Sequence, residues 1–317
     1  MRVLLTGGSG YLGREIARAL ARRGHEAIIF ARSAEAAVRD GVPGIACPGD
    51  VRDAAALDRA ASGCDAICHT AAMVTLWRRD RTEFDAVNVG GLTNAIDVAC
   101  KRRLHRVVYT SSFLALPPSD ARSSGTGNDY QRTKRAAERA ADEAIRRGAP
   151  IVRLYPGVIY GPGAATEGNL VPRLLADHVA GRRPGIIGGD HIWSFAFVGD
   201  VADAHVTALE KARINSAYQL GGENLPQRRI FELLREDTGR PLPRHLPAWL
   251  GRLAGRMEEL RARTTNTTPR LTRGTVEIFE HDWAMDSSAA IRDLDYRITP
   301  FNDAFRRVLP EVLNLQP

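Results

Sequence analysis

The stretch that decides the fold is the amino terminus, Met1-Arg-Val-Leu-Leu-Thr-Gly-Gly-Ser-Gly-Tyr-Leu-Gly13. Residues 3–5 form the short apolar run that is typical of a buried parallel strand, and the run breaks directly into glycines. Residues 15–23 then carry apolar side chains at helical spacing until Gly24 ends the helix. A strand, a glycine turn and a helix in this order predict a dinucleotide-binding unit.

Three glycines of this turn are expected to have separate tasks. Gly7 permits the tight turn, Gly10 lets backbone amides approach a pyrophosphate, and Gly13 lets the helix lie close to the strand. The amino terminus of the helix faces the phosphate charge. Tyr11 and Leu12, which open this helix, are therefore assigned to the same cofactor site.

Composition places the chain among globular enzymes. It has 317 residues, 44% hydrophobic and 26% charged, which is enough for two lobes around one cleft. No apolar run approaches the ~18–20 residues of a membrane span. Because the chain starts on a core strand, we expect no signal peptide and a cytoplasmic location.

Charge and cysteine usage exclude two classes of partner. The net charge of +7 comes mostly from scattered arginines, without a basic stripe interleaved with aromatics, so nucleic acid is not expected as a partner. The four cysteines have no zinc-ligand spacing. We therefore expect Cys64 and Cys68 to be core residues and predict no metal site.

The second strand, predicted over 25–31, carries the signal for cofactor choice. Ala31 stands where an acidic residue would hold the ribose of NAD, and Arg32 follows it. An arginine can pair with a 2′-phosphate, so the sequence favours NADP, with NAD as the alternative. Asp50 and Val51 end the third strand; Asp50 either meets the adenine edge or caps the helix predicted over 53–61.

Alternating strands and helices over the first half predict an α/β fold, a doubly wound parallel Rossmann sheet with a smaller carboxyl-terminal substrate lobe. The dinucleotide-binding domain is predicted over 1–157, with residues 190–212 returning to it, and the substrate lobe over 158–317. The small residues Ala71 and Ala72 end the fourth strand and would let a cofactor lie across it.

Three side chains form the candidate catalytic group. Tyr130 and Lys134 are four residues apart on one predicted helix, so both project from the same face. An ammonium beside the phenol is expected to lower the tyrosine pKa, which suits proton exchange with an alcohol or ketone. Ser112 ends the preceding strand and could donate to the substrate oxygen. Asn88 lies inside the helix predicted over 80–102, where asparagine is unfavourable and indicates a local polar task.

In these motifs the sequence resembles the extended short-chain dehydrogenase/reductase family, most of all its dihydroflavonol-reductase branch and the farnesol dehydrogenases. The matching runs are Thr6–Gly13, Gly49–Val51, His69–Ala72, Asn88–Gly91, Tyr109–Ser112, Tyr130–Lys134, Leu154–Gly163, Phe197–Val201 and Asp282–Asp286. The resemblance implies a triad of Ser112, Tyr130 and Lys134, with Ser112 preferred over Ser111, and Asn88 acting through a water.

The same resemblance implies that Pro156, Gly157 and Val158 pass along the nicotinamide and that Lys134 also contacts its ribose. It suggests a homodimer through the helices predicted over 80–102 and 130–147, with a monomer as the alternative.

The residues next to these motifs limit the possible reaction types. A dehydratase of this family needs an acid pair after the catalytic hydroxyl, but Phe113 and Leu114 follow Ser112. Sugar-nucleotide enzymes usually carry an Arg-Asp pair before the strand predicted over 194–198; this chain has Trp193 there instead. Asn169 matches their Asn-Leu pattern and keeps a 4-epimerase open, although it could simply cap a helix.

Aromatic and apolar side chains indicate the substrate class. Trp77, Phe113, Leu114, Trp193 and Phe195 could line a pocket for a large apolar ketone or alcohol, an isoprenoid, prenylated or aromatic natural product. Core packing is the alternative for each of them.

Trp249 is expected in the core, on a lobe helix predicted over 249–257; the alternative is a helix lying on a membrane surface. The sequence thus predicts a reductase or dehydrogenase, against a 4-epimerase or a non-catalytic NADP-binding protein.

Overall fold

A computed structural model of the chain describes residues 1–75, 77–120, 127–166, 168–265 and 267–314. The ten strands found there are β1 (Arg2–Thr6), β2 (Glu26–Ala31), β3 (Ile45–Pro48), β4 (Ala66–His69), β5 (Val107–Thr110), β6 (Ile151–Pro156), β7 (Val158–Tyr160), β8 (Ile192–Phe197), β9 (Ala217–Leu220) and β10 (Glu223–Pro226). Seven of them form one parallel sheet in the order β3-β2-β1-β4-β5-β6-β9, and β10-β8-β7 form a second sheet. The predicted doubly wound fold is confirmed.

Helices cover both faces of the large sheet and build the lobe. They are α1 (Tyr11–Arg22), α2 (Ala34–Arg39), α3 (Ala54–Ala60), α4 (Thr82–Asp85), α5 (Gly91–Arg102), α6 (Asp129–Arg146), α7 (Leu170–Val179), α8 (Val198–Lys211), α9 (Arg229–Thr238), α10 (Ala248–Thr265), α11 (Arg273–Phe279), α12 (Ser288–Leu294) and α13 (Phe301–Asn314). No helix in the described part of the chain is long and apolar enough to cross a bilayer.

Strand β1 shows why the sheet is buried on both sides. Val3 and Leu5 belong to a core shared with α1 and α8, whereas Leu4 belongs to the core shared with α3, α5 and α6. All three side chains are completely buried. Alternate residues of a strand point to opposite faces, so a continuous apolar run is what a doubly covered parallel strand requires.

The lobe has a third core around the second sheet, built from β7, β8, α7, α9, α11 and α13. Between its elements the chain returns to the large sheet: α8 contacts α1, and β9 pairs with β6. The return predicted over 190–212 is thus accompanied by the strand β9. The domain boundary at residue 157 stays a prediction.

Several element boundaries differ from the predicted ones. The helix predicted over 80–102 begins at Thr82 and contains a π-helical stretch, Ala86–Gly90, around Asn88. Asp53, not Asp50, caps α3, with its carboxylate accepting from Ala56 N at 2.9 Å. The segment between β5 and α6 lies partly outside the described residues.

Two buried histidines support the carboxyl ends of the central strands. His69 ends β4, and its Nδ1 lies 2.9 Å from Thr6 Oγ1. His205 of α8 places Nε2 2.8 Å from Thr110 Oγ1 and Nδ1 2.7 Å from the Val201 carbonyl oxygen. Burial lowers the pKa of His69 to about 3 and that of His205 to about 4.

We therefore expect acid to destabilise the protein. Between pH 6.5 and about 4 the unfolded chain binds protons at these imidazoles and the folded chain does not, so the free energy of unfolding falls as the pH falls. Each histidine should account for a loss on the order of 2 kcal/mol between pH 6.5 and 5. Urea unfolding at a series of pH values measures this slope.

The variant His205→Gln supplies the control. The glutamine side chain cannot take up a proton. The free energy of unfolding should therefore depend less steeply on pH below 6.5, although its value at pH 7.5 also decreases. An unchanged slope in this variant would contradict the assignment to His205.

Candidate active site

The glycine turn after β1 has the shape that a pyrophosphate requires. Gly7 adopts a φ of +72°, in the left-handed region, and a Cβ at Gly13 would lie 2.2 Å from the Gly7 carbonyl oxygen. Helix α1 begins at Tyr11 directly after this turn, and its first turn, fully described, carries no acidic residue. Backbone amides at a helix amino terminus attract an anion, so these residues fit a dinucleotide.

The turn lies where the strand order reverses. β1 pairs with β2 on one side and with β4 on the other. A Cβ at Gly7 would lie 2.7 Å from Ala71 N, which puts Ala71 and Ala72 against the turn. Ligands of open α/β sheets bind at this kind of crevice. The cofactor residues predicted from two separate strands therefore meet at one edge.

The far end of this crevice carries arginines. Arg32 follows β2 and is exposed, while the Ser33 hydroxyl donates to Ser9 Oγ of the glycine turn at 3.0 Å. Asp50 forms an ion pair with Arg52 at 2.6 Å, and this guanidinium holds the Asp50 pKa below its ordinary value. Val51 is buried beside it.

Helix α6 brings the predicted catalytic side chains together. Asn128 caps it by accepting from Gln131 N at 2.9 Å, which fixes where Tyr130 leaves the first turn. Lys134 donates from Nζ to the Thr110 carbonyl oxygen at 2.8 Å, and Nζ lies 5.8 Å from the centre of the Tyr130 ring. Ser112, two residues beyond β5, lies close enough to the Tyr130 hydroxyl to act on its pKa.

Burial has the largest effect on the pKa values of Tyr130 and Lys134. It raises the pKa of Tyr130 to about 12, against which the hydrogen bond with Ser112 acts. Burial also lowers the pKa of Lys134 to about 8, opposed by the carboxylate of Glu138. The expectation that Tyr130 has a lowered pKa is wrong in this structure, because burial disfavours the charged phenolate.

The neighbouring serine has a different partner. Ser111 donates to Glu138 Oε1 at 2.5 Å. Tyr155 donates to Glu138 Oε2 at 2.6 Å, and Arg153 approaches the same oxygen at 3.3 Å. This geometry favours Ser112 as the serine of the triad. Sequence analysis missed Glu138, although its position four residues after Lys134 places it on the same helix face.

Asn88 connects the segment after β4 to the catalytic helix. Its Oδ1 accepts from Met73 N at 2.7 Å, and its Nδ2 donates to the Met73 carbonyl at 3.1 Å and to Thr133 Oγ1 at 2.9 Å. A π-helical stretch often occurs at a functional site, because its wider turn re-aims side chains. The implied role through a water stays a prediction.

The segment from Pro156 to Val158 lies beside the triad. Gly157 N donates to the Leu220 carbonyl at 3.1 Å, and a Cβ at Gly157 would lie 2.5 Å from the Ser194 carbonyl oxygen. β6 is the direct neighbour of β5. These residues are therefore at the same sheet edge as Ser112, as a nicotinamide-flanking segment would have to be.

The side chain of Asn169 contacts a neighbouring loop and does not form the predicted helix cap. It stands at the amino terminus of α7, but its side chain makes no capping bond. It donates instead to the carbonyl oxygens of Gly161, Gly163 and Ala164 at 3.0, 3.4 and 3.4 Å, completely buried. Tyr11 packs against the same loop, since a Cβ at Gly163 would lie 3.3 Å from its ring.

An aromatic group follows the catalytic serine. The Phe113 ring centre lies 6.4 Å from that of Trp193 and 5.4 Å from that of Trp283, and Trp193 stacks on Phe279 at 5.1 Å. Leu114 belongs to the same core. Trp283 and Phe279 were not predicted for the pocket; the only sequence signal was Trp283 within a family motif.

The other two predicted substrate residues have no ring contact with Phe113 among the described residues. Phe195 packs on Tyr160 and Phe301, with ring centres 6.4 and 5.0 Å away, inside the lobe core. Trp77 is partly buried in the segment between β4 and α4. Core packing therefore describes Phe195, and Trp77 stays a prediction.

The loop after Phe113 is fastened to the lobe. Ser119 N donates to the Asp282 carbonyl at 2.8 Å, and Asp120 pairs with His281 at 3.2 Å. Asp282 in turn pairs with His191 at 2.8 Å. These contacts explain how Trp283 is held against Phe113.

The site can now be set beside known proteins. Residues 3–221 match the model of the NAD dependent epimerase/dehydratase family. The chain belongs to this family. It is an NAD(P)-dependent oxidoreductase of the extended short-chain dehydrogenase/reductase type.

Two relatives and one solved structure are similar over almost their whole length. Sterol demethylase protein B of Methylococcus capsulatus is 30% identical, with 96% of each chain covered. The 4-hydroxy-2-methyl-3-oxo-4-farnesyl-3,4-dihydroquinoline-1-oxide ketoreductase of Stigmatella aurantiaca is 28% identical, covering 98% of this chain and 97% of the relative. The crystal structure of gox2253 has a TM-score of 0.82 and 25% identity, with 98% of each chain covered.

Substitution of Glu138 tests whether its hydrogen bonds stabilise the fold behind the predicted triad. In Glu138→Gln an amide NH₂ replaces one acceptor oxygen and faces a hydroxyl or guanidinium donor, so the free energy of unfolding should fall by about 1–3 kcal/mol. The matched control is Glu143→Gln on the exposed side of the same helix, which should change the free energy of unfolding much less, because exposed ion pairs contribute little. Urea denaturation compares the two; equal losses would contradict the assigned role.

Proposed function

We propose that the protein reduces a ketone on a large apolar molecule with NADPH, or oxidises the corresponding alcohol with NADP. The observation that carries this proposal is the convergence of three side chains: Lys134 donates from its buried ammonium to the Thr110 carbonyl at 2.8 Å and lies 5.8 Å from the Tyr130 ring centre, and Ser112 follows two residues after Thr110 close to the Tyr130 hydroxyl. When bound, the nicotinamide donates or accepts the hydride. The proton must then come from or go to a side chain.

Tyr130 is the proton donor in reduction. With a pKa of about 12 it stays protonated at neutral pH, so it can donate to a carbonyl oxygen that gains negative charge. Ser112 donates a hydrogen bond to the same oxygen and stabilises the developing alkoxide. The ammonium of Lys134 stabilises the phenolate that remains after the transfer, and this stabilisation is needed because burial disfavours that anion.

The apolar surroundings support a lipophilic substrate. Phe113 follows the catalytic serine directly and is enclosed by Trp193 and Trp283. One relative is named for sterol demethylation and another is a ketoreductase of a farnesyl-bearing quinoline. Both names fit a large apolar substrate with a carbonyl or hydroxyl group, an isoprenoid, prenylated or aromatic ring compound.

Three variants test the mechanism, with NADPH absorbance followed against a panel of lipophilic ketones. Tyr130→Phe should lower kcat by at least about 100-fold, since it removes the donated proton. Ser112→Ala should lower kcat by about 100-fold or more. Ser111→Ala is the control and should change kcat by less than about tenfold.

Full turnover by Tyr130→Phe would refute the proposal. NADPH binding without hydride transfer to any ketone would identify a non-catalytic binding protein. Epimerised UDP-sugar without net change of the cofactor would identify a 4-epimerase. The single donor atom of Asn169, Nδ2, already contacts three backbone carbonyls, which does not favour a 4-epimerase.

The preference for NADP rests on the end of β2. Ala31 occupies the position of the ribose-binding acid, and the exposed Arg32 follows it beside the hydroxyls of Ser9 and Ser33. Asp50 carries negative charge nearby, but Arg52 compensates it at 2.6 Å. A 2′-phosphate would therefore meet the exposed guanidinium of Arg32.

Arg32→Ala should accordingly weaken NADP binding by at least about tenfold, because a charge-assisted hydrogen bond is lost, and leave NAD binding within about twofold. Calorimetric titration of both cofactors measures the ratio. Arg39→Ala, an exposed arginine at the end of α2, is the matched control and should alter neither. Equal weakening of NADP and NAD by Arg32→Ala would contradict the preference.

A further inference from the structure

Helix α10 turns its large apolar residues to solvent and its small ones to the protein. The buried positions of its 18 residues are Gly251, Gly255 and Ala262. The large apolar side chains of the helix are exposed: Trp249 at 61%, Leu250 at 38%, Leu253 at 50%, Met257 at 66% and Leu260 at 65%. The expectation that Trp249 belongs to the core is wrong.

The glycines explain this orientation. A Cβ at Gly251 would lie 2.3 Å from the Ile187 side chain, and one at Gly255 would lie 2.9 Å from Arg273 N. Helix α10 is thus seated on α11 through its smallest residues, at a distance that larger ones could not reach. It cannot rotate to bury its apolar face without losing this contact.

The exposed residues form one stripe. Trp249, Leu253, Met257 and Leu260 follow each other at spacings of four, four and three residues, so they share one face of a helix about 27 Å long. Contiguous apolar surface of this kind on a globular protein indicates a binding surface.

Arginines flank the stripe on one side. Arg252, Arg256 and Arg263 lie along that flank at spacings of four and seven residues. Arg252 pairs with Glu280, whereas among the described residues neither Arg256 nor Arg263 pairs with a carboxylate. Both also line an open groove of about 460 Å³ together with Arg273, Glu259 and Leu260.

We propose that this face of α10 lies on an anionic lipid surface, with the apolar stripe among the acyl chains and the arginines at the phosphates. Charge selects this occupant: the protein carries a net +7, and α10, described throughout, has no acidic side chain on the exposed face. Glu258 and Glu259 are partly buried and pair with Arg261 and Arg273. A basic helix with one apolar face is the pattern of interfacial helices.

A second copy of the chain suits the face less well. Apposed α10 helices would bring arginines together, without an exposed carboxylate of either helix to compensate them. Like charges in contact oppose association, whereas lipid phosphates attract each arginine near the surface.

The stripe is also close to the candidate pocket. Helix α11, on which α10 rests, carries Phe279, which stacks on Trp193. A Cβ at Gly274 of α11 would lie 2.1 Å from the Gly127 carbonyl oxygen, directly before the catalytic helix. The benefit of lying on lipid, access to an apolar substrate, rests on the proposed function, but the docking surface itself does not.

The test measures binding of the full chain to vesicles without cofactor or substrate, so its outcome is independent of the proposed reaction. We expect sedimentation with vesicles of phosphatidylglycerol and phosphatidylcholine, and at least about tenfold weaker binding to phosphatidylcholine alone. Tryptophan emission should shift to shorter wavelength on binding. In Trp249→Phe the shift should be lost while sedimentation persists.

Paired variants separate the two contributions. Arg256→Glu with Arg263→Glu should weaken binding at least about tenfold, as should Leu253→Ser with Met257→Ser. The control, Arg59→Glu with Arg306→Glu, makes the same charge change at exposed arginines elsewhere and should weaken binding much less.

Three results would overturn the proposal. One is equal loss of binding in the control and in the Arg256/Arg263 variant, which would mean a general charge effect. Another is failure to bind anionic vesicles at all. The third is a dimer in light scattering that Met257→Ser dissociates, which would make a second copy the occupant.

Discussion

The buried ammonium of Lys134 is the constraint on which the site depends. A charge withdrawn from water must be compensated locally, and here the Thr110 carbonyl accepts from it at 2.8 Å while the Tyr109 and Tyr130 rings lie 5.1 and 5.8 Å away. Burial still lowers its pKa to about 8. The end of β5 and the start of α6 therefore have one mutual position in which the charge is tolerable, and that position brings Tyr130 to Ser112.

Thr110 and Ser111 connect the buried ammonium of Lys134 to the rest of the fold. The carbonyl of Thr110 accepts from Lys134 and its hydroxyl bonds with His205, so α8 supports the strand end that holds the ammonium. Ser111 donates to Glu138 of α6 at 2.5 Å, whereas Ser112 lies near Tyr130 in the first turn of the same helix. The two adjacent serines thus have different neighbours on one helix.

Much of the fold and of the candidate site could be predicted from local sequence patterns. The glycine turn, the order of strands and the helix that carries Tyr130 and Lys134 follow from spacing and periodicity, which are properties of neighbouring residues. Glu138 and Trp283 were missed because their importance comes from partners far away in sequence. Asn169 was placed correctly at a helix start, but the direction of its side chain is set by the 161–164 loop.

Trp249 shows a different limit. Apolar residues at helical spacing normally indicate the buried face, yet burial is decided by whichever face the neighbouring helix can approach most closely. In α10 that face is the one with glycines. Periodicity shows that a helix is amphipathic, but it does not show which face contacts the rest of the protein.

The π-helical stretch at Ala86–Gly90 also bears on how the chain can change over evolution. A π turn contains one residue more than an α turn, which rotates α5 by about 100° relative to a continuous α-helix from α4. Phe84 before it and Leu92 after it are both fully buried, so each half has its own fixed orientation. Deleting a single residue here would restore a regular helix but turn one of these side chains to water. We therefore expect length variation among homologues to fall outside this helix.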